Sequence, residues 1–149
     1  MHHAIIKPLP RDWTSIMQML PLRLVPGDDL RVTLEEIARE RGLEAAFVLQ
    51  GIGSLGVAAI RYAGVDRVEL LHGDFEILSL AGSLCGDGAH LHALISDANG
   101  RVSGGHVAVG CVVRTTAEVL VGVLPEVRFS RETDSRTGFA ELCIEGKRD

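Results

Sequence analysis

Aromatic residues are scarce. One Trp, one Tyr and four Phe make up 4% of the chain, so Val, Leu, Ile and Ala have to fill the interior. Cysteine is equally sparse: Cys85, Cys111 and Cys143 stand far apart with no C-x-x-C pair. That excludes a disulfide framework and a thiolate zinc knuckle, and leaves them as buried small hydrophobes of a reducing cytosol. No run of Lys or Arg offsets a formal charge of −5, so a polyphosphate backbone is repelled and direct nucleic-acid binding is disfavoured. No apolar stretch reaches the roughly eighteen residues of a membrane span, and the start, Met1 to Pro8, has no apolar segment after its charge. These absences lead to the expectation of a soluble, cytoplasmic protein with no membrane partner. No repeat, low-complexity tract or linker divides the chain, and residues 1–149 read as a single domain.

What is present is 46% hydrophobic residues and 17 glycines in 149 positions, the composition of a packed β-rich fold. A domain of this length buries roughly two-thirds of the surface its unfolded chain exposes, so it can be stable without a metal, and any metal would be functional. One helix is predicted after Pro26-Gly27, capped by Asp28 or Asp29, with Leu30, Leu34, Ile37 and Ala38 on its apolar side and Gly42 as its stop. Glu35, Glu36, Arg39, Glu40 and Arg41 read as its solvated face. Leu22-Arg23-Leu24-Val25 supplies a strand before it. Short β-like runs follow at 46–50, 57–62, 68–71, 75–84, 90–96, 102–113, 118–124 and 139–144. The fold class is therefore α+β, a largely antiparallel sheet with one main helix after the first strand.

Several polar features carry little chemistry. Gly51-Ile52-Gly53-Ser54 lacks the third glycine and following helix of a dinucleotide fingerprint and reads as a tight strand connection. The charged, turn-rich span 126–138 reads as a loop or edge excursion, and His72 as an exposed turn residue. Ser54 has no G-x-S-x-G context. Glu118, in an apolar strand, could equally be a general base, a partner to a metal ligand or a subunit-contact residue. His2 and His3 belong to a terminus and are left out of any site.

The informative residues are His90-Leu91-His92 and Gly104-Gly105-His106. Strand alternation puts His90 and His92 on one face, roughly 7 Å apart, with Leu91 on the other. The turn Asp97-Ala98-Asn99-Gly100 decides whether His106 joins them. A two-residue Asn99-Gly100 loop sets His106 opposite Ala93 and turns its ring away. A three-residue loop with Gly100 left-handed pairs Asp97 with Arg101 and sets His92 across from His106. Asp97 and Gly100 favour the second register, although Gly104-Gly105 could add a bulge of its own. Single histidines on a half-buried sheet are usually just hydrogen-bonded. Three on one face form the footprint of a metal site, with zinc the first choice for neutral imidazoles and nickel or iron as alternatives. Three protein ligands leave an open coordination position, the pattern of hydrolytic or lyase chemistry.

These strings also carry a family resemblance. Pro26-Gly27-Asp28-Asp29-Leu30, Gly51-Ile52-Gly53-Ser54, the run from Gly73 to Gly82, His90-Leu91-His92, Gly104-Gly105-His106 and Thr116-Ala117-Glu118-Val119 resemble the PPC domain, named for its conservation across plants and prokaryotes. The match runs in order over about residues 20–145. The resemblance implies an α+β fold, a homotrimer and, in prokaryotic members, a metal ion bound by histidines, which carries over to His90, His92 and His106. In plants the domain is a trimerisation and partner-binding module beside a separate AT-hook, and prokaryotic relatives are often called DNA-binding on that analogy. This chain has no Arg-Gly-Arg-Pro core for a minor groove, and it has the histidines that the plant branch lacks.

Three readings follow. The first is a metal-binding homotrimer whose open site takes a small molecule, with any enzymatic activity being that of a metal-dependent hydrolase or lyase. The second is a DNA-associated regulatory protein. The third is a structural or partner-binding trimerisation module.

Overall fold

The computed structural model describes residues 16–147. Strand β1 (Gln18–Leu24) leads to helix α1 (Leu30–Glu40), followed by β2 (Ala46–Arg61), β3 (Glu69–Cys85), β4 (Gly88–Ser96), β5 (Val102–Val107), β6 (Val112–Val123), β7 (Val127–Thr133) and β8 (Ala140–Gly146). Six strands form one antiparallel sheet in the order β1-β6-β2-β3-β4-β5, and β5 pairs again with the end of β2. That second pairing, Ile60 with Val107 and Arg61 with His106, closes β2 to β5 on themselves. Strands β7 and β8 make a separate ribbon. The architecture is the expected α+β class with a single helix after the first strand. Among the described residues no helix is long and apolar enough to cross a membrane.

Helix α1 is capped by the second of the two candidate aspartates. Asp29 Oδ1 accepts from the N–H groups of Arg31 and Val32, satisfying two donors that the first turn leaves free. Leu30, Leu34 and Ala38 are buried on the sheet, while Ile37 is only half-buried. Glu35 departs from the solvated face assigned to it. Its Oε1 accepts from Arg31 Nε at 2.9 Å and from the backbone N–H of Ala89 at 3.0 Å, tying the helix to the start of β4.

Long strands replace several of the short runs. Gly51-Ile52-Gly53-Ser54 is not a connection but the interior of β2, where Gly53 pairs with Ile77 on one side and Ala117 on the other. The glycines serve close approach: a Cβ on Gly51 would lie 2.9 Å from Leu80 Cβ, and one on Gly53 would collide with the β6 backbone. His72 lies within β3, paired with Val57, so it is exposed as expected but on a strand and not a turn. The run 102–113 is broken into β5 and β6 by a turn whose Gly110 N–H donates to Asp29 Oδ2 at 2.6 Å. The span 126–138 contains strand β7, because Val127 and Phe129 alternate into a small second core with Ala45 and Cys85. Phe47 meets Phe129 there edge to face, 5.2 Å between ring centres. The main core, between helix and sheet, holds Leu34, Leu55, Leu80, Leu91, Ile95 and Cys111.

Candidate metal centre

The β4–β5 hairpin positions the site. Asp97 N–H donates to Arg101 O, Gly100 N–H donates to Asp97 O, and Gly100 adopts φ 76°, so Ala98, Asn99 and Gly100 form the three-residue loop. Asp97 Oδ1 accepts from the N–H groups of Asn99 and Arg101, and these donors hold its carboxyl below the ordinary carboxylate range. The ladder then runs Ser96 with Val102 down to His92 with His106, without a register shift. Gly104-Gly105 therefore carries no bulge. Its missing side chains admit neighbours, since a Cβ on Gly104 would collide with Ala93 O and one on Gly105 would sit 2.7 Å from Arg61 O.

Leu91 is fully buried, while His90 and His92 face the opposite side of the strand, where His106 meets them. Ring centres lie 4.9 Å apart for His90 and His92, 5.1 Å for His90 and His106, and 5.7 Å for His92 and His106. One nitrogen from each ring falls within 4.8 Å of the other two. His90 Nε2 and His92 Nε2 are 3.2 Å apart. Two ligands of one tetrahedral zinc, each at about 2.05 Å, would be separated by about 3.3 Å, so the spacing suits a shared ion as well as an N–H···N hydrogen bond.

His106 separates the two readings. Its Nδ1 is buried and has no hydrogen-bond partner, an arrangement that costs free energy unless the nitrogen meets an ion or a donor. Burial first, then the positive charges of His90, Arg61, Arg31 and His92, push the His106 pKa from 6.5 down to about 4. His90 is lowered by burial and by Arg131, His92 and Arg31, against the opposing charge of Glu141. Both rings are thus neutral at physiological pH, the form that offers a lone pair to a metal. The residues present fit a divalent ion held by nitrogen.

The other candidates lie elsewhere. Glu118, on β6, pairs with Arg23 of β1 and Ile52 of β2, and β2 and β3 separate it from β4 in the sheet order. Ser54 Oγ is buried against Thr115 Oγ1 at 2.6 Å, with no base beside it. His2 and His3 lie outside the described residues. Sequence reasoning missed Arg131 and Glu141, which line the same open cavity of about 350 Å³ as His90 and His92. Neither has a local signal, because both reach the site only through the β7–β8 ribbon.

A sequence model of the Plants and Prokaryotes Conserved (PCC) domain matches residues 11–125. A Bifunctional protein GlmU of Synechococcus sp. (strain JA-3-3Ab) is 48% identical over 139 residues, 93% of this chain and 22% of the relative. The chain thus spans about a fifth of the length of the curated relatives it matches. Among solved structures, a hypothetical protein from Salmonella enterica superposes with a TM-score of 0.88 at 39% identity, covering 91% of this chain and 98% of that one. A metal-containing protein from Archaeoglobus fulgidus superposes with a TM-score of 0.75 at 29% identity, covering 89% and 98%.

Proposed function

Because this chain belongs to the Plants and Prokaryotes Conserved domain family, we propose that it is a metal-binding member of it, a homotrimer in which His90, His92 and His106 hold one divalent ion. The unpartnered, buried Nδ1 of His106 beside two converging imidazoles carries this reading. The similarity to a metal-containing archaeal protein supports it. Zinc is the preferred ion, since three neutral nitrogens in a compact cluster suit its tetrahedral coordination, and nickel and iron are the alternatives. When bound, such an ion supplies Lewis acidity toward an oxygen of a ligand. The chain's own residues orient the imidazoles: the Asp97 turn fixes the facing strands, and Glu35 anchors Ala89, next to His90.

The homotrimer is supported by exposed apolar side chains along the sheet, Met19, Ile52, Leu78 and Leu94, each between 45% and 51% exposed. A single domain, the open site's small-molecule ligand, and hydrolase or lyase chemistry complete the proposal. A second reading, an accessory assembly module, is favoured by the place of the matching segment as a fifth of the longer cyanobacterial relatives. DNA association is suggested by a similar structure from Ralstonia eutropha JMP134 that is named a DNA-binding protein, but the net charge of −5 and the lack of an Arg-Gly-Arg-Pro core in this sequence oppose it.

Metal analysis of protein purified without a histidine tag tests the main reading. One divalent ion per chain is expected, with loss of the ion in His92→Ala and His106→Ala variants that keep their oligomeric mass. Absence of metal in protein exposed to zinc, nickel and ferrous iron, unchanged by His106→Ala, would refute it. If metal removal lowered only thermal stability or oligomeric mass, and no ligand reached the bound ion, the assembly-module reading would stand instead.

A further inference from the structure

We propose that the cavity beside the three histidines binds a small carboxylic acid with a hydrocarbon body, and that Arg131 is the residue that recognises its carboxylate. The inference rests on the metal reading above and adds the ligand class.

Arg131 reaches the histidines from β7, beyond the residues matched by the family model, which end at 125. It is half-buried in the same cavity as His90 and His92. Its Nη2 donates to the buried Ser83 hydroxyl at 2.8 Å, and Nη1 makes a long contact to Ala140 O at 3.5 Å. Ser83 pairs with His90 across β3 and β4, so the same hydroxyl holds the guanidinium beside the histidine strand. Among the described residues Arg131 has no carboxylate within ion-pair distance. By contrast Arg31, the other cation bonded near the site, is already matched by Glu35 at 2.9 Å. A half-buried guanidinium without a counter-ion keeps donors available in a fixed planar fork, the geometry that a carboxylate fits.

Charge balance points the same way. Three neutral imidazoles bring no negative charge to a divalent ion, and Arg61, opposite His106 on β2, adds a further positive one. Among the described residues only Glu141 opposes these charges on the cavity wall, and its Oε1 already accepts from Thr137 Oγ1 at 2.9 Å. A bound anion offsets the excess. A monoanion fits this cavity better than a phosphate dianion, because Glu141 repels the second charge and Arg131 is the one guanidinium on the cavity's described lining. Phe47, Ala81 and Leu142 supply an apolar wall for the rest of the molecule.

Calorimetric titration of the full chain loaded with zinc tests this, using butyrate, the isosteric neutral butyramide and inorganic phosphate as probes. Butyrate is expected to bind at least tenfold more tightly than either of the others. Arg131→Gln is expected to keep the wild-type zinc content and lose at least tenfold in butyrate affinity, while Arg131→Lys, which retains the charge, loses less. Normal zinc content with equal binding of butyrate and butyramide, or with an unchanged Arg131→Gln, overturns the carboxylate assignment alone. Tighter binding of phosphate overturns it in favour of a phosphorylated ligand. Failure of the wild type to take up zinc overturns it together with the metal reading, and that outcome is read separately from zinc content.

Discussion

His92 stands directly across the β4–β5 ladder from His106, and the three residues Ala98, Asn99 and Gly100 between Asp97 and Arg101 are what make them partners. A strand presents successive side chains to opposite faces, so this register decides whether the third imidazole joins the cluster or leaves it. Inserting one residue between Ala98 and Asn99, with the three-residue loop type kept, would pair Ala98 with Arg101 and set Ala93 opposite His106. The expected result is a folded protein, by circular dichroism, that has lost most of its zinc uptake. Full zinc content in the insertion variant would show that the hairpin does not govern the site.

Asp29 joins the helix to the turn before β6, since one carboxylate oxygen caps α1 and the other accepts from Gly110 N–H. Asp29→Ala removes the cap, at about 1–2 kcal/mol, and leaves the Gly110 donor without its acceptor. Urea denaturation should show a loss of about 2 kcal/mol or more. Asn at this position keeps the cap but turns an NH2 donor toward Gly110 N–H, so it should recover only the cap's share of the loss.

Stability of the metal-free protein should fall on mild acidification. The folded state keeps His106 neutral down to about 4, whereas the unfolded chain takes up the proton near the ordinary histidine value of 6.5. Between those values the unfolded state binds more protons, so stability is full above about pH 6.5 and is lost as pH falls toward 4. His90 is shifted in the same direction. The lowered carboxyls of Asp97, Asp134 and Glu44 add their own losses mainly below this window. Melting temperatures of His106→Gln should vary less between pH 7 and pH 5 than those of the wild type, and parallel curves would contradict the assignment.

Burial pushes the Cys111 thiol up to about 11, and its Sγ both accepts from Ala59 N–H and donates to Ala59 O. The thiolate is the reactive form, so iodoacetamide at pH 8 should leave Cys111 unlabelled in the native protein and label it fully in denaturant. Mass mapping of the alkylated peptides reads this out, and rapid native labelling would place Cys111 outside the core.

What the sequence by itself determined is local. Strand alternation put His90 and His92 together with Leu91 opposed, and Asp97 and Gly100 favoured the loop that brings His106 across. The aspartates after Gly27 and the glycine at 42 bounded the helix. These signals are legible because strand periodicity, turn conformation and capping depend on a few consecutive residues. Glycine was ambiguous: Gly51 and Gly53 have the composition of a turn, but their lack of Cβ serves the close passage of Leu80 and β6, a contact between distant segments. Tertiary structure alone decided the closure of β5 on β2, which puts Arg61 beside His106, and the folding of the β7–β8 ribbon over the cavity, which brings Arg131 and Glu141 to the histidines. The physical reason is that pairing and packing between remote strands are selected by burial of the whole core, and no short stretch of sequence encodes which distant charge will arrive at a given face.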